Sequence, residues 1–139
     1  MSPEQNKITA NRIPLEVFNK KNQAVLDQVV WPDAVDHVVP PGMPPTVAST
    51  RQFISMLLAA FPDFQYTIDF AIAEGDKVVQ RVTASGTMQG DFMGMKASGK
   101  HATWTETHIV RLVDGKVAEH WGNLDQVGML QQLGLMPGA

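Results

Sequence analysis

"HIVRLVDGKVAEHWGNLD", residues 108–125, predicts two β-strands joined by a tight turn at Asp114-Gly115. Asp-Gly is favoured in β-hairpin turns because both residues tolerate the left-handed backbone that these turns require. The first strand of this hairpin extends back over "HATWTETHIVRLV" (101–113), and the second is "KVAEHWGNLD" (116–125). Further upstream, residues 64–72 alternate apolar and polar side chains, and "EGDK" (74–77) turns the chain into "VVQRVTASGTMQG" (78–90). The sequence therefore predicts four long strands arranged as two hairpins.

The N-terminal half predicts helices. Apolar residues recur at roughly helical spacing over residues 5–29, which indicates one or two helices. A further helix runs through "RQFISMLLAAF" (51–61), with Ser49 or Thr50 as its cap and Pro62 as its end. Between them, "VVWPDAVDHVVPPGMPP" (29–45) is rich in proline and leaves room only for a short strand around residues 35–39. This order predicts an α+β domain, in which N-terminal helices pack on the concave face of a curved antiparallel sheet of four long strands plus a short one.

Composition narrows the classes of partner. The chain has 139 residues, so residues 1–139 are predicted to form a single domain. Its formal net charge is −3 and its basic residues are scattered, so neither nucleic acid nor an anionic membrane is an expected partner. The lack of cysteine excludes disulfides, thiolate metal sites and thiol nucleophiles. A polar N-terminus and the lack of a long apolar run predict a cytoplasmic protein.

Neither a cofactor nor a metal ion is expected. The four histidines, His37, His101, His108 and His120, lack the close pairing that is typical of metal sites. The sequence has no glycine-rich phosphate-binding loop after a strand. It also has no strained strand-to-helix turn that would expose a nucleophilic serine. A small hydrophobic molecule is therefore the predicted partner, and the eight methionines would suit an adaptable apolar lining.

Three segments carry a family resemblance: "AFPDFQYTI" (60–68), "AEGDKVVQRVTASGTMQGDFMGMKASGK" (73–100) and "RLVDGKVAEHWGNLDQVGMLQQLG" (111–134). In order and spacing they resemble the SnoaL-like polyketide cyclases, also called ester cyclase-like proteins, which have the nuclear transport factor 2-like cone fold. The resemblance implies a deep hydrophobic pocket, cofactor-independent chemistry and pairing of subunits through the sheet. The resemblance is less specific for activity, because isomerases, hydrolases, dehydratases and binding domains share this cone fold.

The resemblance also implies site residues. In the anthracycline cyclases of this family, a histidine helps to polarise a carbonyl, and an aspartate on the next strand is the acid and base of an intramolecular aldol closure. The histidine matches His108. Fourteen residues later, where many relatives read Trp-Asp, this chain reads Trp121-Gly122. Because glycine supplies no base, we expect an aspartate introduced at position 122 to face His108 and to raise proton abstraction.

Glu106 is the candidate replacement for the missing aspartate. Side chains alternate across a strand, so Trp104, Glu106 and His108 share one face, which we assign to the pocket. Glu106 and His108 lie about 7 Å apart along the strand, and burial would raise the pKa of the Glu106 carboxyl into a useful range. His108 and Glu106 are therefore the predicted catalytic acid and base. A core histidine satisfied by Glu106 fits the same pattern.

Further residues are predicted to contact the ligand. They come from the rim segment, the strands and the glycine-punctuated stretch "GDFMGMKASG" (90–99), which is predicted to close over the pocket. They are His37, Tyr66, Phe92, Met93, Met95, Trp104 and Gly122. His37 also fits a role in tying down its loop, Asp36 fits a turn or a cap, and Asp125 fits a helix cap.

Two functions remain open at this point. The first is a cofactor-independent enzyme that moves protons next to a carbonyl of an apolar small molecule, as polyketide cyclases, isomerases and lyases do. The second is a binding protein that keeps the cone without the chemistry, which Gly122 favours. For either function, the resemblance and the lightly charged outer sheet face predict a homodimer through the sheet. The residues of that face are Val79, Thr83, Thr87, Thr105, Ile109 and Arg111.

Overall fold

Five strands and four short α-helices make up the structure, a computed structural model that describes residues 1–137. The strands are β1 (Val30–Asp36), β2 (Gln65–Glu74), β3 (Lys77–Thr87), β4 (His101–Val113) and β5 (Lys116–Leu124). The helices are α1 (Pro3–Arg12), α2 (Leu26–Val29), α3 (Val47–Ala60) and α4 (Gln126–Gln132), with a π-helical turn at Ile13–Phe18 and a 3₁₀ turn at Gln23–Val25. Within residues 1–137, none of these helices has the length and apolar character needed to cross a membrane.

The predicted α+β fold class is confirmed. The strands form one curved, unclosed sheet in the order β1-β5-β4-β3-β2. The two predicted hairpins are β2 with β3 and β4 with β5, and β3 pairs with β4 along its whole length. The turn between β4 and β5 has φ values of 47° at Asp114 and 84° at Gly115, which is the left-handed backbone that the dipeptide predicted.

The edge strand β1 departs from the prediction of a wholly antiparallel sheet. It runs parallel to β5, with Asp36 opposite His120, and it ends at Asp36 instead of spanning residues 35–39. Pro32 lies where the pairing is interrupted between Val30 and Val35, so its missing N–H breaks no ladder bond. The direction of β1 depends on a partner 84 residues away, and a local sequence pattern contains no information about that partner.

Helix α3 begins one turn earlier than predicted. Thr46, the first residue after the Pro44-Pro45 pair, is its N-cap, and the Thr46 hydroxyl oxygen accepts a hydrogen bond from the Ser49 N–H at 3.3 Å. Thr50, one of the two predicted caps, lies inside the helix. Its hydroxyl donates to Asp36 Oδ2 at 2.6 Å. The earlier start therefore brings a hydrogen-bond donor of α3 to the end of β1.

Pro14 widens the C-terminal end of the first helix. Because proline has no N–H, the regular hydrogen bonds stop there, and the Asn19 N–H bonds to the Pro14 carbonyl at 3.1 Å, five residues back. The resulting π-helical turn directs Phe18 toward the sheet. Its ring packs edge-on against Tyr66, with centroids 5.0 Å apart. The turn thus covers part of the inner sheet face with apolar side chains.

Alternation buries one face of the central strands. On β4, every second side chain from Ala102 to Leu112 points inward, and Trp104 and Glu106 are only 3% and 6% exposed. Trp104, Glu106 and His108 therefore share the inner face, as the alternation predicted. An apolar cluster formed by α3, the strands and the segments beside them packs against part of this face: Leu57, Phe61, Phe64, Val82, Met88, Phe92, Trp104 and Met129.

The outer face of the sheet carries apolar side chains that are exposed or half-buried. Four of them are register partners across β2, β3, β4 and β5, and we call them the apolar row: Ile72, Val79, Ile109 and Trp121. Ile72 is 58% exposed, and Phe70, two residues away on the same face, is 54% exposed. Val79, Ile109 and Trp121 are half-buried, and a partly exposed apolar row of this kind is a candidate interaction site.

Candidate functional site

A cavity of about 330 Å³ lies between the inner sheet face, the N-terminal helices, α3 and the 90–99 stretch. This volume is near the lower end of the roughly 300–1,000 Å³ that is typical of small-molecule sites. Most of the lining is apolar and includes Phe18, Val30, Phe53, Ile54, Leu57, Val82, Phe92, Trp104, Val110 and Met129. Two carboxyl groups and two imidazoles also border the cavity, and they belong to Asp36, Glu106, His108 and His120.

These four side chains form one continuous line of hydrogen bonds, the imidazole network. Glu106 Oε1 lies 2.7 Å from His108 Nε2, and His108 Nδ1 lies 2.8 Å from His120 Nε2. His120 Nδ1 lies 2.9 Å from Asp36 Oδ1. The two imidazole rings are nearly parallel, at 24° to each other, with their centroids 5.1 Å apart. All four ring nitrogens are therefore engaged within the network.

The pairing of β4 with β5 brings the two imidazoles together. His108 is the register partner of Gly122, and His120 is the partner of Val110. Because side chains alternate, His120 and Gly122 both face inward, and His120 lies diagonally across from His108. Glu106 stands two residues before His108 on the same strand and faces the same way.

Gly122 leaves the space that the His108 ring occupies. A Cβ atom at position 122 would lie 2.8 Å from His108 Nδ1 and 3.3 Å from its Cε1, which is shorter than normal van der Waals contact. An aspartate at this position would push the His108 ring away from His120. This geometry argues against the expectation that an aspartate at position 122 would raise proton abstraction, which stays a prediction.

Glu106 is buried and accepts hydrogen bonds from three donors. Tyr66 Oη and His108 Nε2 donate to Oε1, and Trp104 Nε1 donates to Oε2, each at 2.7 Å. Burial acts to raise the pKa of Glu106, but the hydrogen bond and charge of His108, together with the Tyr66 and Trp104 bonds, hold this pKa below its usual value. The expectation of a raised pKa is therefore wrong, and Glu106 is an ionised acceptor. The pKa of Tyr66 lies well above its usual range because of burial and the nearby Glu106 charge.

Asp36 makes the predicted turn and also reaches the site. Its Oδ1 accepts from the Val38 N–H at 2.9 Å, as in an Asx turn, and from His120 Nδ1. Its Oδ2 accepts from the Thr50 hydroxyl. Burial acts to raise the pKa of Asp36, but the hydrogen bonds from His120, Thr50 and Val38 and the charge of His120 hold it below its usual value. Asp36 is therefore an ionised partner that fixes the His120 ring.

Acid is expected to destabilise the fold through Glu106 and Asp36. Both pKa values are depressed in the folded state, so their stabilisation is complete above the unfolded carboxyl pKa of about 4 and is lost as pH falls through the folded-state pKa. In urea denaturation, the free energy of unfolding should be nearly constant above about pH 5 and should fall progressively below it. Glu106→Gln removes one group and should give a shallower fall, whereas Glu4→Gln on exposed α1 should match the wild type. Equal slopes for all three proteins would contradict this prediction.

The other residues predicted to contact the ligand divide into two groups. Tyr66, Phe92, Met93 and Trp104 line the cavity, whereas His37, Met95 and Gly122 do not. His37 lies outside the cavity, with its Nε2 2.7 Å from Glu119 Oε2 and its ring stacked on Trp121. Met95 is tied to Phe92 by a pair of backbone hydrogen bonds of 2.9 Å. His37 thus holds the rim segment against β5.

Polar residues that line the cavity but were not among the predicted site residues include His120, Thr50 and Gln80. Gln80 is the register partner of His108 on β3, and its amide donates to Asn11 at 2.9 Å. Alternation on β5 allows only one of the neighbours His120 and Trp121 to face the cavity, and that residue is His120. Thr50 could be found only once the start of α3 was known. Among residues 1–137, no group of three or more His, Cys, Asp or Glu side chains is arranged to hold a metal ion.

Known proteins resemble this chain over most of its length. A family model described as SnoaL-like polyketide cyclase matches residues 8–133. Aklanonic acid methyl ester cyclase DauD of Streptomyces sp. (strain C5) is 27% identical over 111 residues, which are 79% of this chain and 67% of DauD. Among solved structures, TsrD of Streptomyces laurentii has a TM-score of 0.88 and 26% identity, covering 98% of this chain and 99% of TsrD. IdmH of Streptomyces antibioticus, described as a proposed polyketide cyclase, has a TM-score of 0.82 and 33% identity, covering 94% of this chain and 99% of IdmH.

Proposed function

Because the chain belongs to the SnoaL-like polyketide cyclase family, we propose that it is a cofactor-independent enzyme that closes a ring by an aldol-type reaction. The substrate is an apolar small molecule with carbonyl groups, bound in the cavity. Relatives named as cyclases support the class of reaction. The observation that carries the proposal is the imidazole network, which borders an otherwise apolar cavity. Isomerase and lyase reactions that begin with the same proton abstraction would use the same groups.

His108 is the proposed group that polarises the substrate carbonyl. Its Nε2 hydrogen is committed to Glu106, so Nδ1 is the nitrogen that can reach a ligand once it separates from His120. The ionised Glu106 holds the ring orientation and stabilises positive charge on it. A positive imidazole in apolar surroundings stabilises the negative charge that develops on a carbonyl oxygen. In this proposal His108 is catalytic, and Glu106 positions it.

A non-catalytic binding protein is the second candidate function. Glycine at position 122 favours it, and so does the engagement of all four imidazole nitrogens inside the protein. A ligand that contacts only the apolar walls would leave these hydrogen bonds intact. Such a protein would bind its ligand and release it unchanged.

Aklanonic acid methyl ester, the compound in the name of DauD, is the first substrate to test. An intramolecular aldol addition leaves the mass unchanged, so the product should be an isomer with a different retention time, identified by NMR. His108→Gln should abolish this conversion while tryptophan fluorescence still reports binding of the ester. If the wild type binds this ester and related polyketide esters but converts none of them, the binding protein is the better description.

Phe92→Ala is expected to weaken binding of an apolar ligand by roughly 1–3 kcal/mol. We propose that the 90–99 stretch closes over the ligand, and Phe92 supports this because it lines the cavity and packs against Phe53 and Phe61, with centroids 6.1 and 5.9 Å away. Isothermal titration calorimetry with the same ester measures the effect. Met95 belongs to the same stretch but does not line the cavity, so Met95→Ala should bind the ester with wild-type affinity. Unchanged affinity in Phe92→Ala would remove this ring from the proposed lid.

A homodimer through the outer sheet face is also proposed. The apolar row and the exposed Phe70 support it, because a two-fold contact would cover them and bury on the order of 800 Å² per subunit. Ile109→Glu, in the middle of the row, is expected to sediment as a monomer. Ile8→Glu introduces the same charge on exposed α1 and should sediment as the wild type does. A wild type that is monomeric at about micromolar concentration would rule the dimer out.

A further inference from the structure

The hydrogens of the imidazole network can be counted from its contacts. Ionised carboxylates only accept, so Glu106 requires an N–H from His108 Nε2, and Asp36 requires one from His120 Nδ1. The 2.8 Å contact between His108 Nδ1 and His120 Nε2 is a hydrogen bond only if one of these nitrogens carries a hydrogen. The four ring nitrogens therefore hold three hydrogens, and the middle one is shared between the two rings.

From this geometry we infer that His120 is a catalytic residue, the base that takes the substrate's proton, and that His108 is its acid partner. The inference rests on the proposed function and names the group that replaces an aspartate at position 122. His120 lines the cavity and has the most exposed side chain of the network, at 24% against 17% for His108. The side chains of Asp36 and Glu106 are 11% and 7% exposed. His120 is therefore accessible to a ligand in the cavity.

Asp36 determines which nitrogen of His120 can act as a base. Its carboxylate keeps the hydrogen of the neutral imidazole on Nδ1, so Nε2 presents a lone pair whenever the shared hydrogen resides on His108. The Thr50 hydroxyl and the Val38 N–H in turn hold Asp36. Asp36 is therefore a positioning residue. An acid and a base thus stand side by side at one place in the cavity.

The aldol step balances on this pair without any co-reactant. As the substrate separates the rings, His108 Nδ1 keeps the shared hydrogen and donates a hydrogen bond to the substrate carbonyl oxygen. His120 Nε2 takes a proton from the carbon next to that carbonyl, and the resulting enolate carbon attacks a second carbonyl carbon of the same molecule. A new C–C bond forms, and the oxygen of the second carbonyl takes the proton back from His120 Nε2. The product is an isomer of the substrate, and the network regains its three hydrogens.

A small acidic probe tests the base without knowledge of the natural substrate. A base removes the ring C–H proton of 5-nitrobenzisoxazole, the N–O bond breaks, and a coloured cyanonitrophenolate forms. His120→Gln should lower the protein-catalysed rate at least ~10²-fold, and His101→Gln, at the exposed start of β4, should keep the wild-type rate. Wild-type activity in His120→Gln would overturn the assignment of the base.

Nitrogen-15 NMR of the histidine rings tests the shared hydrogen and Asp36 independently of turnover. In the wild type, one hydrogen should couple to both His108 Nδ1 and His120 Nε2. In Asp36→Asn, the amide can donate to His120 Nδ1, so the ring hydrogen should move to Nε2, with a lower kcat on the probe and an unchanged KM. A wild-type spectrum without the shared hydrogen, or an unaltered His120 signal in Asp36→Asn, would overturn the inference. If the probe reaction depends on His120 but no polyketide ester is converted, the proposed function fails while the inference stands.

Discussion

Replacing His108 by alanine is expected to lower the rate of aldol closure by ~10²–10⁴-fold, the usual loss when a positioned acid or base is removed. His108 is bonded to both Glu106 and His120, so its loss separates the two halves of the imidazole network. Conversion of aklanonic acid methyl ester at saturating concentration measures kcat, and substrate dependence gives KM. We expect kcat to fall and KM to stay nearly unchanged, because the apolar walls that bind the ester remain.

The control for this experiment must separate chemistry from folding. His108→Ala leaves the buried Glu106 carboxylate with two donors instead of three, and removing a partner from a buried charge destabilises a protein. His108→Gln retains an N–H group that can donate to Glu106, and it should recover much of the lost stability but none of the activity. His101→Ala, on the same strand outside the cavity, should change neither. Conversion by His108→Ala at the wild-type rate would remove this residue from the mechanism.

The sequence predicted the fold where the determining signals are local. Alternation over residues 64–72 and 101–113 and the Asp114-Gly115 turn specify hairpins whose strands are close in the chain. The parallel pairing of β1 with β5 could not be predicted in this way, because Asp36 and His120 are 84 residues apart in the chain. The predicted start of α3 was one turn too late. Thr46, directly after the Pro44-Pro45 pair, caps the helix, whereas the prediction placed the cap at Ser49 or Thr50.

The site residues were likewise predicted only where the signal in the sequence is local. Alternation on β4 was sufficient to place Glu106 and His108 on the cavity side. The direction of the Glu106 pKa shift could not be read from burial alone, because it depends on donors from Tyr66 and Trp104 as well as His108. Gly122 looked like a missing base in the sequence. Its neighbours in space indicate instead that it provides room for a ring.

The imidazole network also explains how charged groups can persist beside an apolar cavity. A buried carboxylate is costly unless hydrogen bonds satisfy it, and Glu106 and Asp36 each accept three. The shared hydrogen between His108 and His120 adds a positive charge between two negative ones. Replacement of any one member should therefore alter the protonation of the others, so double variants within the network are not expected to be additive.

Gly122→Ala is expected to lower the free energy of unfolding by roughly 1–3 kcal/mol, the usual cost of overpacking a filled interior. The added Cβ would meet His108 Nδ1 at 2.8 Å and would separate it from His120, so aldol activity should fall as well. A double-mutant cycle with His108→Ala identifies the cause: in the His108→Ala background the ring is gone, and Gly122→Ala should cost little. Urea denaturation of the four proteins measures the coupling. Gly122→Asp should behave as Gly122→Ala does, with lower activity than the wild type. A stable Gly122→Asp with raised activity would mean that the ring can move aside, and position 122 would again be a candidate for the family's aspartate.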